Sequence, residues 1–222
     1  MAKGKELPQY TKGEEIFNAV SHIVGGAFGI VALILGIVYG IKYHHDALGM
    51  LGIVFYGVSM ILLYTMSSIY HFLRRNKAKK VFRIFDHCTI YLLIAGTYSP
   101  ICLITLRDSI MGIILFSVVW GCAVIGITAN AINMYALPIK ILSMIMYLAM
   151  GWCVVFAIKD LMQLMPIQEF WWILAGGIAY TIGCIFYGIG AKKKYIHSVW
   201  HLFVLLGTIL QFVGIFAYSI IR

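Results

Sequence analysis

Charge is scarce in this chain. Only 11% of its 222 residues are Asp, Glu, Lys or Arg, and 62% are apolar. An ordinary soluble domain is about 25% charged and roughly 45–50% apolar. So few charges cannot cover a water-exposed surface, which excludes a soluble globular enzyme, and such hydrophobicity also excludes disorder. Acidic residues number eight, and cysteines five with no CxxC pair. Neither a disulfide framework nor a thiolate zinc site is expected from that pattern. Cys88, Cys102, Cys122, Cys153 and Cys184 fall in apolar stretches and read as small packing residues. Residues 1–16 contain no apolar run of the signal-peptide kind, so the first span is expected to be the targeting signal. The formal net charge is +9. The basic residues sit between apolar runs without an interleaved aromatic face, which argues against nucleic acid as a partner.

What the chain does have is long apolar runs. A spanning helix needs about 20 apolar residues, and seven such runs are separated by polar punctuation: 17–41, 47–73, 84–106, 109–131, 138–158, 169–190 and 197–220. The expected fold is a single all-α integral membrane domain over 1–222, a seven-helix bundle. Pro138 opens the fifth run, where a missing N–H costs little. Pro100 lies inside the third and is expected to kink it. Gly25, Gly29, Gly36 and Gly40 recur along the first run and permit close approach of a second helix.

Lysine and arginine are unevenly distributed over the two sides of such a bundle. Lys3, Lys5, Lys12, Arg74, Arg75, Lys77, Lys79, Lys80, Arg83, Lys140, Lys192, Lys193 and Lys194 share one side, while Lys42, Arg107, Lys159 and Arg222 share the other. With loops this short, the richer side is cytoplasmic. The N-terminus is therefore expected inside, the C-terminus outside, and the location is the plasma membrane. Trp171 and Trp172 suit an outer aromatic belt. Membrane lipids are the expected partners, with anionic headgroups as candidates for the basic loops.

An ionisable side chain in a span costs at least about 2.5–3.5 kcal/mol at the helix centre, so each one is a functional candidate. The set here is short: Glu15, Asn18 and His22 in the first helix, Ser67 and His71 ending the second, Asp86 and His87 opening the third, His197 and His201 opening the seventh. Helices four to six offer only Asn130 and Asn133. His197 and His201 are i and i+4 on one helical face, as are Ser67 and His71, and both imidazoles of such a pair can reach one metal ion. Every cluster falls at the same end of its helix. His71, His197 and His201 are a sufficient ligand set for zinc, with the fourth position open. Neutral imidazoles leave the full charge of the ion in place, which would bring water toward a pKa of about 7. Asp86 is the candidate general base, and Ser67 could orient water or an oxyanion. Asp86 could instead be an N-cap, and Ser67 a packing hydroxyl. Glu15, Asn18 and His22 could fix the second nitrogen of a ligand. His87 points about 100° from Asp86 and is left out, and His44 and His45 read as solvated. Separations above about 8 Å between residues 71, 197 and 201 would sink the idea.

Taken together, Glu15-x2-Asn18-x3-His22, Ser67-x3-His71, Asp86 in FDHCTIYLLIAGTYSP and His197-x3-His201 in HSVWHLF resemble the haemolysin III proteins of bacteria. These belong with the progestin and adipoQ receptors and, more distantly, the alkaline ceramidases. The resemblance covers essentially the whole chain. It implies zinc held by His71, His197 and His201 near the cytoplasmic face, with Asp86 and Ser67 nearby. Receptor relatives are associated with lipid amide hydrolysis; bacterial members are linked by name to red-cell lysis and otherwise to membrane-lipid homeostasis. No hormone-binding role carries over. The leading expectation is a zinc-dependent hydrolase of a lipid amide or ester. The alternatives are a non-enzymatic membrane sensor with structural zinc and a pore. A pore should show polar faces across the whole bilayer, and the outer helix halves read as almost entirely apolar.

Overall fold

The structure is a computed structural model describing residues 7–190 and 193–221. Its described residues form seven helices long and apolar enough to cross a membrane, and no strand. They are α1 (Lys12–Lys42), α2 (Ala47–Phe72), α3 (Lys77–Thr105), α4 (Ile110–Asn133), α5 (Leu137–Leu164), α6 (Ile167–Gly190) and α7 (Ile196–Ile220). Of the basic residues used for the orientation argument, Lys3, Lys5, Lys192 and Arg222 lie outside the described residues.

The helix starts follow from capping chemistry. Thr11 and Glu14 form a reciprocal box before α1: Thr11 Oγ1 accepts from the Glu14 amide and the Glu14 carboxylate accepts from the Thr11 amide. Asp46 caps α2 and Asn76 caps α3, each accepting from the amide three residues on. The third helix therefore starts seven residues before the apolar run begins, because a side-chain cap decides a helix start more than hydropathy does. Lys77 to Arg83, read above as loop, are helical. Asp86 lies well inside α3, which removes its reading as an N-cap. The fifth helix likewise runs past residue 158 to Leu164, through a 3₁₀ segment at Cys153–Ala157.

Pro100 has no N–H to give, and immediately after it α3 widens into a π-turn over Ile101–Thr105. A second π-turn, Phe216–Ile220, ends α7. All five cysteines are free.

Consecutive helices pack side by side, and α7 returns to α1 to close the ring. α3 is the most enclosed helix, with 67% of its most apolar stretch buried against 28% for α1. The glycines of α1 do what their spacing suggests. A Cβ on Gly25 would lie 2.4 Å from the Tyr64 ring, and one on Gly29 3.2 Å from the backbone of Ile61, so α1 and α2 meet almost backbone to backbone. Outward-facing Val31, Ile34, Val124, Ile125 and Phe156 are exposed, as a lipid-covered surface requires.

Candidate metal centre

His71 at the end of α2 and His197 and His201 at the start of α7 converge at the end of the bundle that carries the start of α1. One ligand nitrogen from each lies within 4.8 Å of the others. The three residues are 2%, 8% and 2% exposed, so they meet inside protein and not at a wet surface. Nε2 of His201 is 3.2 Å from Nε2 of His197. Two imidazoles on one tetrahedral zinc, each at about 2.05 Å, place their nitrogens about 3.3 Å apart. Nε2 of His71 is buried without a hydrogen-bond partner. Its other nitrogen, Nδ1, is 2.7 Å from Glu15 Oε2. A carboxylate behind an imidazole in this way fixes the ring and its tautomer, the usual support for a metal ligand. The donor set therefore fits a zinc-type ion.

The remaining predicted residues divide. Glu15 supports His71 directly. His22 is buried 3.8 Å from His201, ring centre to ring centre. Asn18 is fully buried beside it on the same face of α1, and its amide atoms have no hydrogen-bond partner. Ser67 donates to the Asp86 carboxylate. Both line a small polar cavity together with His22, His197 and His201.

Several participants were not anticipated. His87 lines that same cavity, because its neighbours on α5 and α6 turn the second face of α3 inward too. Tyr10 stacks on the His197 ring at 4.8 Å and 16°, roofing the cluster. Burial raises the Tyr10 phenol well above its ordinary pKa, so it is a neutral cover. Arg75 ties this N-terminal segment down, donating to the carbonyls of Pro8 at 2.7 Å and Leu7 at 3.1 Å. Lys79 is buried, its ammonium 2.6 Å from Glu15 Oε1. Arg75 and Lys79 are thus committed to protein partners, whereas Arg74 and Lys80 of the same segment are exposed. The sequence held a signal for Lys79. With Asn76 taken as the cap, Lys79, Arg83 and Asp86 follow i, i+4, i+7 on one face.

A second, apolar cavity of about 140 Å³ adjoins the polar one. Leu63, Ile90, Trp200 and Val204 line both, so the two share a wall. It extends between α3, α5, α6 and α7 past Thr97, Leu148 and Leu174 to Gln211.

The other end of the bundle is less apolar than its sequence suggests. Glu169 at the start of α6 is fully buried, receives a hydrogen bond from Ser219, and Ser219 in turn is 2.6 Å from the Thr105 hydroxyl. His45 is half-buried, with Nε2 2.9 Å from the carbonyl oxygen of Ile220, so it is not simply solvated. Glu169 escaped notice because it sits at a span boundary, where a carboxylate is ordinary until the π-turn of α7 covers it.

Seven closely packed apolar helices and a histidine cluster enclosed at one end define a multi-pass membrane protein with a buried polar centre. The family model described as "Haemolysin-III related" matches residues 10–212, and the chain belongs to that family. It is 40% identical to "Hemolysin-3" of Bacillus cereus over 216 residues, covering 97% of this chain and 96% of that protein. It is 36% identical to "Hemolysin-3 homolog" of Bacillus subtilis (strain 168), covering 95% and 97%. "Monocyte to macrophage differentiation factor" of Homo sapiens is 24% identical, covering 98% and 88%.

Proposed function

We propose that this protein is a zinc-dependent membrane hydrolase acting on a lipid amide or ester and serving membrane-lipid homeostasis. The observation that carries the reading is the meeting of three imidazole nitrogens within 4.8 Å, two of the rings lining a small cavity that shares a wall with a larger apolar one. His71, His197 and His201 would hold the ion. Zinc, when bound there, supplies a positive charge that polarises an acyl carbonyl and acidifies water.

The chain's own groups supply the rest. The apolar cavity takes the acyl chain and brings its carbonyl to Ser67 and Asp86. Asp86 accepts a proton from water as the water oxygen bonds to the acyl carbon. It then returns that proton to the amine or alkoxide as the C–N or C–O bond breaks. Ser67 holds the carboxylate in place, and Tyr10 limits access from the aqueous side. The thirteen-to-four bias of Lys and Arg supports a cytoplasmic N-terminus, with this centre facing the inner leaflet of the plasma membrane.

The test uses purified full-length protein. About one zinc per chain is expected, with turnover of a lipid amide or ester that is lost on chelation and restored by zinc. Turnover by metal-free protein would overturn the reading. Coordination of zinc by four protein atoms, with no turnover, would make it a structural metal in a sensor.

A further inference from the structure

Lys79 stands where lysine is rarely found. It is 1% exposed, although it belongs to the basic segment between two spans. A buried ammonium is costly unless its protons are matched. It carries three donors, and three acceptors meet them: Glu15 Oε1 at 2.6 Å, the Leu73 carbonyl at 3.0 Å and the His71 carbonyl at 3.3 Å. The Tyr70 ring lies 5.0 Å away. Every one of these contacts is to His71, to a residue within two of it, or to the carboxylate that His71 touches.

We propose that Lys79 is a positioning residue of the metal centre, holding Glu15 against Nδ1 of His71 and pinning the end of α2 so that Nε2 faces His197 and His201. The inference rests on the metal reading above. Its physical chain is short. Glu15 bridges the two groups, one oxygen to Lys79 and the other to His71. Ion-paired in this way it offers only acceptors, so Nδ1 of neutral His71 must donate and the lone pair is left on Nε2. The carbonyls at the end of α2 lack helical partners. Lys79 takes two of them, which removes backbone freedom at the residue that carries the ring. A carboxylate behind a metal-binding imidazole is worth about 10–100-fold in metal affinity. Glu15 can exert that effect only while it is held in place.

The experiment is competition titration of full-length protein with zinc against a chelator of known affinity, together with the absorption spectrum of the cobalt(II) form. Lys79→Met is expected to weaken zinc about 10–100-fold and to alter the cobalt spectrum. Lys77→Met, in the same first turn but exposed, should leave both unchanged. Because one of the two routes by which Lys79 acts runs through Glu15, the losses in the Glu15→Gln/Lys79→Met pair should be clearly less than additive. Should Lys79→Met not fold, Lys79→Gln carries the same measurements. Wild-type protein that binds no zinc would overturn the metal reading itself. Wild-type protein with one zinc, beside a Lys79 variant within about threefold of it, would overturn this inference alone. So would fully additive losses in the pair, or equal weakening in Lys77→Met.

Discussion

Replacing His201 with alanine isolates the claim on which the function rests. The imidazole is buried, its Nε2 is 3.2 Å from that of His197, and His71, His197 and His201 are the cluster of possible metal ligands among the described residues. A four-ligand zinc site binds with about 10–16 kcal/mol, or roughly 2.5–4 kcal/mol per ligand. At 1.4 kcal/mol per factor of ten, losing one imidazole should weaken zinc about 10²–10³-fold. Competition titration measures the affinity, and elemental analysis of the purified protein measures the content, expected to fall from about one zinc per chain to nearly none. Far-ultraviolet circular dichroism verifies that the helices persist. His44→Ala, at an exposed turn beyond the other end of α1, is the control and should keep its metal. Full zinc content in His201→Ala, with affinity within about threefold of wild type, would refute the reasoning, because three ligands cannot be cut to two at no cost.

Further outcomes follow from the same geometry. Gly25→Ala places a methyl 2.4 Å from a Tyr64 ring that cannot retreat, since its hydroxyl is bonded to Thr208 at 2.7 Å. It should lower stability by about 1–3 kcal/mol in thermal unfolding, whereas Gly121→Ala, with open space around it, should be neutral or better. The Arg107 guanidinium, with help from the Gly49 amide, lowers the Asp46 carboxyl to about 2. A depressed acid contributes above its unfolded pKa and loses that contribution as pH falls through the folded value. The pair should therefore add nothing to pH dependence between about 5 and 8. Carbon NMR of Asp46 should titrate near 2, and in Arg107→Gln nearer the ordinary carboxylate value. Glu169→Leu removes the acceptor of the buried Ser219 hydroxyl. Unfolding should shift by roughly 1–3 kcal/mol, with zinc content unchanged, because this network is at the opposite end from the histidines. Chelation of wild-type protein should lower its melting temperature reversibly, as loss of a ligand specific for the folded state requires.

The amino-acid sequence determined the number and order of the helices, because a bilayer demands long uncharged runs and water-soluble loops between them. It also determined which faces carry imidazoles, since i, i+4 spacing on a helix is geometry and needs no tertiary information. The shared face of His197 and His201, and that of Ser67 and His71, were legible for that reason, and the glycines of α1 for theirs, whereas the hydrogen bond from Ser67 to Asp86 joins two helices and was not. Only the tertiary structure decided that His71 meets His197 and His201, 126 and 130 residues further along the chain, with ligand nitrogens within 4.8 Å of one another. It also distinguished a lysine that signals topology from Lys79, which shares a helical face with Arg83 and Asp86 and is folded in behind a histidine. Hydropathy treats the two alike because it prices a side chain by type, whereas burial depends on which carbonyls and carboxylates the fold brings within reach. Glu169 and His87 were missed on the same ground: what surrounds a residue comes from helices distant in sequence, and periodicity along one helix carries no record of them.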